Sequence, residues 1–297
     1  MRMHADQVDV GAEVVAALVA AQFPQWRGRP VSPLRSHGTV NALFRLGDEI
    51  VLRFPLQPSL DADLRAELLA EQDNARRIAP RVPLAVPEPL GFGEPGDGYP
   101  GPWTVYRWIP GETVDARRIG DLDGFARDLA GFVNALHAVD TEGRTGHGRG
   151  RGGPLHVHDD YVRRCLAESH HLTDTTRLAR IWTRCLDAPP RDAADAWIHA
   201  DLMPGNLLVR HGRLAAVIDL ETVRIGDPAV DLMPAWNLLT PGPRATYRRA
   251  LGVDDATWER GRGWALLQAI AALPYYVDTN PVMADTARHT LDALLRD

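Results

Sequence analysis

The 297-residue sequence predicts an α+β protein, a small β-rich N-terminal lobe followed by a larger helical C-terminal lobe. Two observations carry that expectation. Before residue 110, short β-branched and aromatic runs bounded by Gly and Pro dominate. After it, apolar residues recur at helical spacing, except for one return to a two-residue period near 206–219.

Taken in order, residues 12–22 (AEVVAALVAAQ) read as a short helix. Ser36 to Leu46 reads as a loop entering a strand, Gly47-Asp48 as a turn and Ile50–Phe54 as a second strand, ended by Pro55 and Pro58. Residues 61–79 set Leu64, Leu68, Leu69 and Ile78 among charges, the pattern of a helix that Asp61 would cap. Pro80–Pro89 and Gly91–Pro102 read as irregular. Trp103–Ile109 is the third strand, stopped by Pro110-Gly111. A boundary near 109–112 therefore divides the chain into an N-terminal lobe, 1–109, and a C-terminal lobe, 110–297. A cleft between two such lobes is the expected ligand site.

In the second part Leu122, Phe125, Leu129, Phe132, Val133 and Leu136 mark a helix. Residues 143–154 are rich in Gly and Arg and read as a mobile loop, whose basic run Arg144–Arg151 reads as solvent-exposed and lacks the aromatic interleaving of a nucleic-acid site. Helices follow near 157–169 and 174–187. Asn206–Val209, the turn Arg210–Arg213 and Leu214–Asp219 read as a hairpin, and the tail as helices near 243–250, 255–277 and 281–295.

Composition excludes several classes. A net charge of −6 and a pI of about 6.0 argue against a nucleic-acid partner. No apolar run reaches 18 residues and the N-terminus has no secretory pattern, so neither a membrane span nor a signal peptide is expected. Two cysteines, Cys165 and Cys185, make no disulfide framework or metal cluster and suit a reducing cytoplasm. All 33 cationic residues are Arg. Without Lys there is no Schiff base, no pyridoxal-phosphate enzyme and no Walker-A loop.

The informative stretch is Trp197–Val209, which contains H-x-D-x-x-x-x-N in His199, Asp201 and Asn206; Asp219 ends the hairpin. Phosphoryl transfer needs this set: one carboxylate to orient or deprotonate an attacking hydroxyl, and an amide and a second carboxylate to hold Mg²⁺. Pro204 and Gly205 would curl the loop so that both ends face one site. His199 reads as a brace for the loop. The plainer reading of Asp201 and Asp219 as loop caps does not explain their joint occurrence with Asn206.

The stretch from Trp197 to Trp236, with Gly226-Asp227-Pro228-Ala229-Val230-Asp231-Leu232 after Asp219, resembles the aminoglycoside and macrolide phosphotransferase family, which shares the bilobal protein-kinase-like fold. The resemblance extends from Gly38 through Trp236. It implies that Asp201 is catalytic and that Asn206 and Asp219 ligate magnesium. It places Gly38, Thr39 and Asn41 in a loop over the nucleotide phosphates and Arg53 at the phosphate-binding cation, paired with Glu71. Arg107 and Ile109 fall where the backbone meets the nucleotide base. Asp227 and Asp231 read as scaffold, and His137 as structural.

The implied activity is transfer of the γ-phosphate of ATP or GTP to a hydroxyl of a small molecule, an aminoglycoside or macrolide antibiotic first. The implied protein is a cytoplasmic monomer or weak dimer. Two departures stand out. Arg53 replaces the family's Lys, and Leu220-Glu221 follow the metal aspartate where protein kinases have Phe-Gly. The rival readings are a kinase of another metabolite or natural-product hydroxyl and a non-catalytic nucleotide-binding protein. Trp236, Trp258, Trp264, Tyr275 and Tyr276 read as helix-packing core or, less simply, as substrate-pocket lining.

Overall fold

The computed structural model describes residues 7–34, 40–58, 62–146, 148 and 150–297, apart from the side chains of Ala62 and Arg117. The chain divides into two units, Met1–Pro80 with Ala85–Pro110, and Arg81–Leu84 with Gly111–Asp297.

The first unit holds α1 (Ala12–Gln22), β1 (Val31–Leu34), β2 (Asn41–Leu46), β3 (Ile50–Pro55), α2 (Ala62–Ile78), β4 (Pro89–Gly93) and β5 (Trp103–Arg107). The strands form one antiparallel sheet in the order β1-β2-β3-β5-β4. The two edge strands are β1, where the sequence suggested no element, and β4, where it suggested irregular chain. Each contains a proline, Pro33 and Pro89, which cannot donate to a ladder and is tolerated at a sheet edge. The proline that hides these strands from pattern reading is thus what fits them to the edge. Asp61, the expected cap of α2, lies outside the described residues.

Strand β3 alternates cleanly. Ile50, Leu52 and Phe54 are buried in a core that α1 completes with Val15, Leu18 and Val19. Phe54 stacks on Trp103 at 4.9 Å between centroids and meets Phe44 edge-on at 5.8 Å. A Cβ on Gly93 would lie 2.0 Å from the Trp103 ring, so only glycine fits there. The alternation turns Arg53 to the opposite face, where it meets α2.

The second unit begins with β6 (Glu112–Thr113) and α3 (Leu122–His137), whose predicted apolar stripe is buried from Phe125 to Leu136 and half-buried at Leu122. Then come α4 (Asp159–Glu168), α5 (Thr175–Leu186), β7 (Ala196–Ile198), β8 (Leu207–Arg210), β9 (Arg213–Val217) and β10 (Arg224–Gly226). The chain closes with α6 (Pro234–Asn237), α7 (Pro241–Leu251), α8 (Asp255–Tyr276) and α9 (Pro281–Arg296). Asp121, Asp174, Asp254 and Asn280 each cap a helix start by accepting a backbone N–H, which fixes α3, α5, α8 and α9 close to their predicted bounds. The predicted hairpin is β8–β9, with His211 and Gly212 both at positive φ in its turn. β6 joins it as a third strand, and β7 pairs with β10. Both β6 and β10 are too short for a readable period. Trp236, Trp258 and Trp264 are core, whereas Tyr275 is 61% exposed.

Among the described residues no helix is long and apolar enough to cross a membrane. Both cysteines are free and buried. Burial, aided by the nearby Glu259 carboxylate, pushes the Cys185 thiol up to about 12, and burial also raises Cys165. Because the thiolate is the reactive form, neither thiol should react with a disulfide reagent at pH 8 until the chain unfolds. A titration that counts thiols with and without denaturant checks this; labelling of the native protein would contradict it.

Candidate active site

Two residues here lie in the left-handed region, one in the turn that follows β7 and one just after β9. Ala200 has φ +64° and Asp219, beyond β9, has φ +65°. Such a conformation costs a residue with a Cβ about 1–2 kcal/mol. The Ala200 turn is held by Asp231, which is fully buried: its Oδ1 accepts the Ala200 N–H at 2.8 Å and its Oδ2 the His199 N–H at 3.0 Å. His137 Nε2 lies 3.0 Å from the same Oδ2, and the buried Tyr247 hydroxyl donates to the Asp231 carbonyl at 2.8 Å. Asp227 receives Arg260 at 2.6 Å and caps the turn that carries Asp231. His199, fully buried, donates from Nε2 to the Ile218 carbonyl at 3.1 Å while Nδ1 accepts the Asp201 N–H at 3.3 Å. Both ring nitrogens are occupied by backbone.

The three predicted residues of this unit come together. Asn206 Nδ2 donates to the Asp201 carbonyl at 2.9 Å and to Asp201 Oδ2 at 3.2 Å, closing the Pro204-Gly205 loop. The Ile218 N–H donates to the Asn206 carbonyl at 2.9 Å, which extends the β8–β9 ladder by one bond and sets Asp219 next to the end of the loop. With Nδ2 committed to Asp201, Asn206 Oδ1 accepts from no protein donor among the described residues. That amide oxygen and the Asp219 carboxylate are hard oxygen donors, the set that Mg²⁺ takes together with phosphate and water. No group of three or more His, Cys, Asp and Glu able to hold a metal occurs among the described residues.

Two further side chains reach Asp201 that the sequence did not suggest. Arg151 forms an ion pair with Asp201 Oδ1, and the Gln268 amide donates to the same oxygen at 2.7 Å. Much of the basic run 144–151 is exposed, as expected, but the run is also tied to the turn that carries Asp201. Arg144 lies over the Trp197 ring at 5.0 Å, Gly146 N–H donates to Asp195 at 2.8 Å, and the Gly152 carbonyl accepts the Asp227 N–H at 2.8 Å. A Cβ on Gly152 would sit 2.3 Å from Ile198 Cδ1, so glycine allows the close approach. Aperiodic Gly-Arg sequence carries no signal for these contacts. Gln268 left a faint one, as the polar residue in Ala265-Leu266-Leu267-Gln268-Ala269-Ile270 of α8.

In the first unit Arg53 Nη1 pairs with Glu71 Oε1 at 2.5 Å, with side chains 13% and 2% exposed. Asn41 opens β2 opposite Pro55. Arg107 is less available than expected. Its N–H donates to the Glu88 carbonyl at 2.9 Å, and its exposed guanidinium pairs with the Glu88 carboxylate, which the arginine holds below the usual carboxylate range. Trp108 N–H is taken by the Glu49 carbonyl at 2.7 Å, whereas Ile109 N–H has no protein acceptor among the described residues. Gly38 and Thr39 lie outside the described residues.

The chain shares its fold with the GDP and kanamycin complex of APH(2")-IIia: TM-score 0.69 at 19% identity, covering 94% of this chain and 97% of that one. A macrolide 2'-phosphotransferase type I gives 0.62 at 19% identity, covering 95% and 98%. The macrolide 2'-phosphotransferase MphH from Brachybacterium faecium gives 0.60 at 21% identity, covering 95% and 97%. Among curated proteins none matches. The model of the phosphotransferase enzyme family APH matches residues 32–264, most of the chain and all three of Asp201, Asn206 and Asp219, and this protein therefore belongs to that family.

Proposed function

We propose that this chain transfers the γ-phosphoryl group of ATP or GTP to a hydroxyl of a small molecule, with aminoglycoside and macrolide antibiotics as the first acceptors to try. The observation that carries the reading is the hydrogen-bonded set of Asp201 and Asn206, with Asp219 brought beside it by the β8–β9 ladder. Asp201 orients the acceptor hydroxyl and takes its proton. Asn206 and Asp219 would hold Mg²⁺, which neutralises charge on the donor phosphates when bound. Arg53, steadied by Glu71, neutralises phosphate charge, its planar fork standing in for the usual ammonium. Gly38, Thr39 and Asn41 would cover the phosphates, and the unused N–H of Ile109, rather than that of Arg107, would meet the base. Catalysis is then mainly positioning and preorganised electrostatics. Two free thiols and a nucleotide donor suit the cytoplasm.

The solved relatives carry GDP with kanamycin in one complex and streptomycin with ATP in another, which makes those compounds sensible probes. Aminoglycosides and macrolides are incubated with ATP or GTP and followed by mass. The reading expects one of them to gain a phosphoryl group with the wild-type chain and not with Asp201→Ala. Equal gain with both proteins would overturn it.

A further inference from the structure

Asp201 receives donors unequally on its two carboxylate oxygens. Oδ1 takes the Arg151 guanidinium and the Gln268 amide at 2.7 Å. Oδ2 takes Asn206 Nδ2 at 3.2 Å and no other protein donor among the described residues. An ionised carboxylate offers about two lone-pair sites per oxygen. Oδ1 is therefore full, and Oδ2 keeps one site open.

The same Arg151 nitrogen donates to the Ala200 carbonyl at 3.2 Å. Ala200 is the left-handed residue just before Asp201, so one guanidinium fastens both the strained peptide and the carboxylate beyond it. That nitrogen carries two N–H bonds, one for each acceptor. The loop that delivers it is anchored at Gly146 by the Asp195 carboxylate, at Arg144 over the Trp197 ring and at Gly152 by the Asp227 N–H, which holds Arg151 in place.

Resting on the phosphoryl-transfer reading of this site, we propose that Arg151 is a positioning residue that occupies Asp201 Oδ1 and so assigns Oδ2 as the atom that takes the acceptor proton. The acceptor O–H breaks and its proton passes to Oδ2. The freed oxygen bonds to the γ-phosphorus, and the bond from that phosphorus to the β–γ bridging oxygen breaks, releasing the nucleoside diphosphate. Arg151 never touches the reacting atoms in this scheme; it acts through Asp201. Without it, only the Gln268 amide holds Oδ1, and the carboxylate is less restrained in presenting Oδ2.

The test measures nucleoside diphosphate release from Mg·ATP with kanamycin, with erythromycin and with water alone as acceptor. Arg151→Ala is expected to lower kcat by about 10- to 100-fold while KM for ATP stays within about twofold. Guanidinium at tens of millimolar should restore part of the loss, and Arg151→Lys should fall between the two. Arg288→Ala, which removes an exposed arginine of α9 paired with Asp285, should keep wild-type kcat. Melting temperatures of all variants separate misfolding from loss of alignment. An Arg151→Ala enzyme with wild-type kcat overturns the role, and so does a loss that guanidinium leaves unmoved. Asp201→Ala distinguishes the two layers. If it loses turnover while Arg151→Ala keeps it, only the role of Arg151 fails; if it keeps turnover, the phosphoryl-transfer reading fails.

Discussion

Asp201→Ala should reduce phosphorylation by about 10²- to 10⁴-fold, the usual contribution of a positioned general base. Nucleotide binding should survive, because Asn206 keeps its 2.9 Å bond to the Asp201 carbonyl, Asp219 lies just beyond β9 and Arg53 lies on β3. The fold should survive too. Asp201 is partly exposed, its side chain at 19%, and truncating it leaves Arg151, Gln268 and Asn206 where water can replace the lost acceptor. Parallel measurement of turnover, nucleotide affinity and melting temperature tests all three statements. A variant that loses binding and turnover together would show that Asp201 acts in nucleotide capture instead.

Asp231→Ala should have the largest effect on stability. The Asp231 side chain is fully buried and its carboxylate accepts from the His199 and Ala200 backbone and from His137. Removing it strands two buried backbone donors where no water enters, and each stranded donor costs about 1–3 kcal/mol. Those donors also hold the left-handed Ala200, so the strain at that residue loses its restraint. A loss of about 3–5 kcal/mol is expected, read from denaturant unfolding. Asparagine does not repair it, because its NH₂ would face a donor. A change below about 0.5 kcal/mol, the ordinary range for surface positions, would contradict the scaffold role.

The elements legible in the sequence are those with a period and a cap. α3, α5, α8 and α9 each begin at an Asp or Asn that accepts a backbone N–H, and their apolar faces are buried. The hairpin was legible from its turn and its two-residue alternation. The edge strands β1 and β4 were not, because proline breaks the pattern from which strands are read, and β6 and β10 are too short to have one. The site divides the same way. Asp201, Asn206 and Asp219 lie close along the chain, so their spacing together with the strand entry and hairpin around it pointed to them. Arg151 lies 50 positions from Asp201 and Gln268 lies 67, and they meet it only because the chain folds. A local motif records the groups that share one turn, and long-range partners of that turn leave no local trace.

Calorimetric titration of ATP and of GTP, each with Mg²⁺ and with the metal chelated, into the wild-type chain and Asp219→Ala tests the central claim most directly. The wild type should bind nucleotide at least about tenfold more tightly with Mg²⁺ than without, a difference of about 1.4 kcal/mol. Asp219→Ala should lose that difference while remaining folded. Wild-type binding that is indifferent to Mg²⁺, or a metal dependence that persists undiminished without the Asp219 carboxylate, would contradict the assignment of Asn206 and Asp219 to a phosphoryl-transfer site.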